Sequence, residues 1–269
     1  VSRYSAAFGE LRRQGQKAFI PFFVIGDPDY ATSLEIVKTA VDAGADMLEL
    51  GLAFSDPIAD GPTIQAADLR ALRSGIRIAD CFRFIEEVRR FTSVPIGLLV
   101  YVNLILKRGV AGFFRQAAQA GVDGILAADV PIEESSAILE AADRYGVDPI
   151  FMVTPATTPA RLARIARSAR GFIYLVALLG VTGARGDLDP ETVRVLRRVR
   201  SVTDVPVCVG FGISRPEHVA ALARSGADGA IVGSAIIDVI ARNLGDKKKM
   251  IREVARYVAA MKAPTRASP

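Results

Sequence analysis

Short runs of apolar residues alternate along this chain with longer segments whose apolar positions recur at helical spacing. Residues 18–25 are continuously apolar and end at Gly26-Asp27-Pro28, after which residues 30–43 carry a helical pattern that stops at Gly44. The unit then repeats. Residues 47–52 precede helical segments 64–72 and 78–90, residues 96–101 precede 110–120, 124–128 precede 133–145, and 149–153 precede 159–169. Further on, 172–176 precede 190–199, 207–209 precede 216–225, and 229–232 precede 235–243. Tyr4, Phe8 and Leu11 stand at helical spacing ahead of the first unit, and residues 250–261 supply a last outer helix.

Eight strand–helix units with strands this uniformly apolar predict a parallel sheet covered by helices. The reading is one (β/α)8 TIM barrel of the α/β class, a single domain over residues 1–269, with the extra N-terminal helix closing its bottom. A doubly wound open sheet competes, and the number of units favours the barrel. Three helix-to-strand connections share a pattern: AGAD at 43–46, AGVD at 120–123 and SGAD at 225–228.

One strand breaks the apolar rule. Alternation over residues 47–52 puts Leu48, Leu50 and Leu52 on one face and Met47, Glu49 and Gly51 on the other. With the leucines packed outward against helices, Glu49 points inside the barrel. No Lys or Arg lies between Lys38 and Arg70 to neutralise it locally. A buried, unpaired carboxyl raises its pKa, which lets it give and take a proton near neutrality; the competing reading is one half of an internal ion pair. The loop that follows carries Asp56 and Asp60, and Asp60 either caps the helix opening at Pro62 or serves the site. In a barrel, functional groups gather at the C-terminal strand ends, where both acids fall.

Two late segments suit an anion. Gly210-Phe211-Gly212-Ile213-Ser214 follows the seventh strand, and Val232-Gly233-Ser234-Ala235 follows the eighth at a helix start. Glycines allow close backbone approach, and free N–H groups at helix N-termini favour negative charge; the alternative is a pair of tight turns. The glycine-punctuated residues 180–187 read as a lid after the sixth strand, or as an ordinary surface loop.

Composition narrows the chemistry. At 51% hydrophobic residues the chain buries a full core, and no apolar tract reaches the ~18 residues of a membrane span. The N-terminus lacks a signal-peptide pattern, and Cys81 and Cys208 have neither metal nor disulfide spacing, so a cytoplasmic location is expected. The net charge of +5 is spread over helix faces without a nucleic-acid motif, and Lys247-Lys248-Lys249 reads as a solvated turn. His218, the single histidine, lies in a helix, which leaves no metal ligand set and no Ser-His-Asp or Cys-His set. Lys17 and Lys38 are misplaced for a Schiff base, and Lys107 suits one only weakly. Carboxylate acid–base chemistry on a phosphorylated substrate remains.

ELGLAFSDPIADGPTIQ (49–65), GVDGILAADVPIEES (121–135), LLGVTGARG (178–186), VGFGIS (209–214) and IVGSAI (231–236) resemble the alpha subunit of tryptophan synthase. The similarity runs from about Phe8 to Lys262, and the first motif is highly specific to that family. The resemblance implies a lyase that cleaves indole-3-glycerol phosphate to indole and glyceraldehyde 3-phosphate. Carried over by motif, Glu49 is the general acid–base that protonates the indole ring carbon and Asp60 holds the indole N–H. Phe22, Leu99, Tyr101, Leu126, Tyr174 and Phe211 match substrate-pocket positions, with Thr182 on the lid near Asp60. Gly183, Gly212, Gly233 and Ser234 match phosphate contacts.

It also implies a partner, a pyridoxal-phosphate beta subunit receiving indole through a tunnel in an α2β2 complex, with no cofactor in this chain. Family contacts with that partner involve the loop after the second strand and Tyr101-Val102-Asn103-Leu104. Ala53 replaces a usual proline, and Ala177, Leu178 and Leu179 stand where polar residues are common. A catalytically idle subunit that activates a partner, and another phosphosugar-handling barrel, are the rival readings.

Overall fold

The computed structural model describes residues 2–177 and 189–266. The helix α1 (Arg3–Arg13) comes first, followed by β1 (Ala18–Val24), α2 (Tyr30–Asp42), β2 (Leu48–Gly51), α3 (Pro62–Arg73) and α4 (Ile78–Phe91). Next come β3 (Ile96–Val100), α5 (Val102–Leu106), α6 (Val110–Ala120), β4 (Gly124–Ala127), α7 (Ser136–Tyr145), β5 (Asp148–Pro149), β6 (Phe151–Val153) and α8 (Pro159–Ser168). The chain ends with β7 (Ile173–Val176), α9 (Pro190–Arg200), β8 (Val207–Gly210), α10 (Pro216–Ser225), β9 (Gly229–Val232), α11 (Ser234–Ala241) and α12 (Lys247–Lys262).

The strands pair in parallel in the order β5-β4-β3-β2-β1-β9-β8-β7-β6. The expected fifth strand, 149–153, is two pieces separated at Ile150: β5 pairs with β4, and β6 with β7. Pro149 has no N–H to give to a ladder, and its carbonyl accepts instead from the Arg170 amide. The two pieces together bring the sheet round on itself, which is the TIM barrel with one interrupted stave. Two further local readings differ. Residues 102–106 form a short helix rather than a connection. Lys247–Lys249 are solvent-exposed as expected but are helical rather than a turn before the helix: the Asp246 side chain accepts from the Lys249 amide and makes these lysines the first turn of α12.

The repeated Gly-x-Asp connections share one job at the bottom rim. Gly44, Gly121 and Gly226 take positive φ, which glycine adopts without a Cβ clash. Two residues later, the carboxylates of Asp46, Asp123 and Asp228 accept from the amides of Phe19, Ile96 and Val207, where the neighbouring strand begins. The Asp amides donate back to the carbonyls of those same three residues. Each carboxylate also meets a cation from a helix: Lys262, Arg89 or Arg200. Buried or half-buried strand ends are thereby satisfied, as their backbone groups require.

Two cores flank the strands. Leu48 and Leu50 face outward into the layer between strands and helices, as alternation predicts. Met47 faces inward with Ile20, Leu126, Ile150, Phe172, Tyr174 and Ile231, and α1 lays Tyr4, Phe8 and Leu11 against this inner cluster. Tyr4 reaches up between the strands because Gly97 and Gly124 leave room. A Cβ on Gly97 would stand 2.6 Å from the Tyr4 hydroxyl, and one on Gly124 would stand 2.9 Å from its ring.

Gly97→Ala should therefore lower stability by about 1–3 kcal/mol, the usual cost of overpacking a filled core. Tyr4→Phe, which removes the clashing oxygen, should return part of that loss in the double variant. Urea unfolding of the four chains measures both; equal midpoints for Gly97→Ala and the parent chain would refute the plug.

Candidate active site

Glu49 is 3% exposed, yet its side chain lines the main cavity at the upper end of the barrel. Register explains its placement. It lies level with Phe22 on β1 and Gly97 on β3, so its flank holds an aromatic ring on one side and no side chain on the other. Gly51, two residues on and facing the same way, lets the Phe22 ring lie across the strand, where a Cβ would come within 2.7 Å of it. Burial raises the Glu49 pKa from 4.5 to about 8, and the nearby Asp60 adds to the rise. Among the described residues no cation offsets this, which disposes of the internal ion pair.

Asp60 is no helix cap. Gly61 holds the N-cap position of α3 without a side-chain bond, and Pro62 begins the helix. The Asp60 carboxylate instead accepts a 2.7 Å hydrogen bond from the Tyr101 hydroxyl, which itself accepts from the Ala59 amide at 3.0 Å. The Phe54 ring stacks on Tyr101 with centroids 5.1 Å apart. Burial raises the Asp60 pKa and the Tyr101 bond opposes the rise. One tyrosine at the end of β3 thus holds the loop after β2 at two points.

The cavity measures about 380 Å³. Of the residues singled out from sequence, Phe22, Glu49, Asp60, Leu99, Tyr174, Phe211, Gly212, Gly233 and Ser234 line it together. Tyr101 stands behind Asp60 rather than on the cavity wall, and Leu126 lies beneath it in the inner core. Thr182, Gly183, Leu178, Leu179 and the lid segment 180–187 lie outside the described residues; Ala177 is buried. Met152, Ile64, Ala128, Ile213, Ser214, Ile231 and Asp238 also line the cavity. Met152 and Ile231 were accessible to period-two counting on their strands, and Asp238 lies one helical turn beyond Ser234.

The far wall is built from backbone. Phe211 has φ 76, a left-handed conformation costly for a side chain with a Cβ, and Gly212 follows at φ 70. This turn swings the Phe211 ring over the cavity, 48% exposed and edge-on to Tyr174 at 6.5 Å. Gly210 is required beneath it, since a Cβ there would overlap the Tyr174 phenol. Gly233 caps α11, and its carbonyl accepts from Ile236 and Ile237, so the first-turn amides of Ser234 and Ala235 face the cavity's rim. His218 is half-buried behind the turn, where its Nδ1 accepts from the Ser214 amide at 3.3 Å. A cleft with aromatic walls, two carboxyls at one end and glycine turns at the other suits a flat apolar guest carrying an anion.

Among the described residues, no cluster of three or more His, Cys, Asp or Glu has the arrangement of a metal site. Likewise no described helix is long and apolar enough to cross a membrane.

The sequence profile of the family described as tryptophan synthase alpha chain matches residues 8–266. A tryptophan synthase alpha chain from Methanothermobacter thermautotrophicus is 56% identical over 260 residues, covering 96% of each chain. One from Salmonella typhimurium is 44% identical over 268 residues, 99% of this chain and 100% of its own. Among solved structures, the alpha subunit from Legionella pneumophila superposes with a TM-score of 0.90 at 30% identity, covering 98% of both. A chain of the tryptophan synthase a2b2 complex from Pyrococcus furiosus gives 0.85 at 38% identity, covering 91% of this chain and 98% of its own.

The buried Glu49 makes stability depend on pH. An unfolded chain releases this proton near 4.5, whereas the folded chain keeps it until about 8; between those values each rise in pH favours unfolding. Glu49→Gln carries no such proton. Its melting temperature should exceed that of the parent by a margin that widens from about pH 5 to about pH 8. A margin that stays flat across this range would mean the carboxyl is not held protonated in the fold.

Proposed function

The chain belongs to the tryptophan synthase alpha chain family, and we propose that it cleaves indole-3-glycerol phosphate to indole and glyceraldehyde 3-phosphate, with Glu49 as acid–base and Asp60 as its partner. It is an enzyme of tryptophan biosynthesis. The observation that carries the specific reaction is the Glu49 carboxyl, buried without a cation among the described residues, in a cavity that glycine turns also line.

In this reading the indole ring lies between Phe22, Leu99, Tyr174 and Phe211, and the phosphate takes the amides at Gly212, Gly233 and Ser234. Gly183 and Thr182, by resemblance, would complete the phosphate and lid contacts. Glu49 gives its proton to ring carbon C3, and the ring nitrogen becomes cationic. Asp60, ionised and accepting from Tyr101, accepts the N–H bond that this charge strengthens. Glu49, now a carboxylate, takes the hydroxyl proton from the side-chain carbon bonded to C3. The carbon–carbon bond breaks, its electron pair returns to the ring, and an aldehyde remains. Atoms balance without an external oxidant or cofactor. Pyridoxal phosphate belongs, on this reading, to a beta subunit that consumes the indole.

Docking of that subunit fits the outer side of the same loop. Ile58 is 84% and Leu106 57% exposed, unusual for such residues. A second cavity is lined by Leu52, Ala53 and Phe54 from this loop and by Leu104, Lys107 and Arg108 after β3, among others. Ala53, where a proline is usual, lies here and not against Glu49 or Asp60. The idle-subunit alternative gains nothing from that change, because both acids and the Tyr101 bond are intact.

Release of indole from indole-3-glycerol phosphate, assayed with and without a beta subunit, tests the proposal; no indole in either case would leave a binding subunit only. Glu49→Gln should lose about 10²–10⁴-fold in kcat, the span of lost general acid–base catalysis, while still binding an indole-propanol phosphate mimic. Glu49 must start protonated, so turnover should fall as pH rises through about 8. Asp60 must be ionised, so turnover should also fall at acid pH, through a pKa above the ordinary aspartate value. Asp60→Asn should slow turnover strongly without this acid limb.

A further inference from the structure

Asp68 is an acid that the reaction does not use. It sits on the inner face of α3, 5% exposed, and among the described residues no lysine or arginine forms an ion pair with it. The backbone N–H of Phe54, in the loop after β2, faces its carboxyl and favours the charged form. Burial and the neighbouring Asp60 and Asp27 hold it protonated up to about 7. The titratable groups that act on it from adjoining elements are Asp60, Asp27 and the Tyr101 hydroxyl. Arg70, two residues along α3, is committed elsewhere: its Nε and Nη2 grip both Asp27 oxygens at 2.6 and 2.8 Å.

Contacts run from Asp68 to the reacting end of the site in three steps. The Asp68 carboxyl faces the Phe54 backbone N–H, the Phe54 ring stacks on Tyr101, and the Tyr101 hydroxyl donates to Asp60. Side chains in contact through one network act as a unit, so displacing the first moves the last. Asp68 touches neither the cavity nor Glu49, since it is absent from the cavity wall. Among the described residues, the Phe54 amide is the one hydrogen-bond donor that favours an acid over an apolar residue at this buried position.

We propose that Asp68 is a positioning residue of the α-reaction: through Phe54 and Tyr101 it sets where the Asp60 carboxylate stands. The role rests on the function proposed above, and it needs an acceptor oxygen rather than a charge. Asn therefore substitutes for Asp68, whereas Ala does not.

Hydrogen–deuterium exchange and steady-state kinetics on the full chain test this together. Asp68→Ala should speed amide exchange over residues 54–60, leave exchange in the barrel strands unchanged, and lower kcat by roughly ten- to a hundredfold with KM within about twofold, as expected for a misplaced rather than missing group. Asp68→Asn should restore both readouts. Phe54→Leu, which keeps the carboxyl but breaks the stack, should give the same kcat loss should Asp68→Ala fold poorly. On a Tyr101→Phe background, Asp68→Ala should cost little more, because the relay is already cut. Unchanged exchange over 54–60, full additivity with Tyr101→Phe, or failure of Asn to rescue would overturn the role. A parent chain that releases no indole would instead overturn the function, and the exchange result would still judge the Asp68–Phe54 contact.

Discussion

Enclosing a carboxyl without a counter-ion is the constraint on which this barrel turns. In water a glutamate is ionised at neutral pH and has no proton to offer; beside an arginine it would hold its charge more firmly still. Glu49 avoids both because β2 aims it inward, Phe22 covers one flank, Gly97 leaves the other to be filled from below by Tyr4, and Asp60 adds a like charge. Desolvation works against folding whenever that group must ionise, so the surrounding structure has to be stable enough to tolerate it. The apolar layers inside and outside the strands supply that margin.

The two rims of the barrel answer one problem in opposite ways. Parallel strands leave unpaired backbone groups where they begin and end. At the bottom, Asp46, Asp123 and Asp228 satisfy strand-end amides from within, each tied in turn to a helix cation. At the top, around Gly212 and Gly233, glycine turns replace carboxylates, and the first-turn amides of α11 face the cavity. Among the described residues no acid bonds those amides, which leaves them open to the anion of the proposed substrate. Rigidity thus belongs to one rim and recognition to the other, the usual division in this architecture.

Most of this frame was legible in the chain, because repeated strand–helix units and an inward Glu49 follow from period-two alternation and length alone. The Gly-x-Asp pattern was visible as a repeat, but its work was not, since each carboxylate acts on a strand some 21 to 27 residues away in sequence. Asp60 defeated local reasoning for a related reason: an Asp before Gly-Pro is a plausible cap, and only the approach of Tyr101 from another strand gives it different work. Lys247–Lys249 were legible as solvated but not as helical, because the cap at Asp246 starts α12 ahead of its first apolar residue. The split at Ile150 follows a proline without an N–H, and the short helix 102–106 is made by local backbone bonds; hydrophobic spacing encodes neither. The indole itself came only from resemblance; aromatic walls argue for a flat guest, not for which one.

The loop after β2 faces two ways, so under the proposed function a partner docked on its outer side would be linked to the chemistry on its inner side. Its inner side carries Asp60 into the cavity, while its outer side exposes Ile58 and forms one wall of the second cavity through Ala53 and Phe54. Phe54 belongs to both, since its ring backs the tyrosine that holds Asp60. A partner that covers the outer side cannot press on Phe54 without biasing the carboxylate behind it. Coupling of this kind needs no long pathway: the two surfaces are opposite faces of one short segment, and any preference of the partner for one loop position becomes a preference for one Asp60 position. By reciprocity, a guest that fixes Asp60 from the inside must alter the partner's affinity by the same factor.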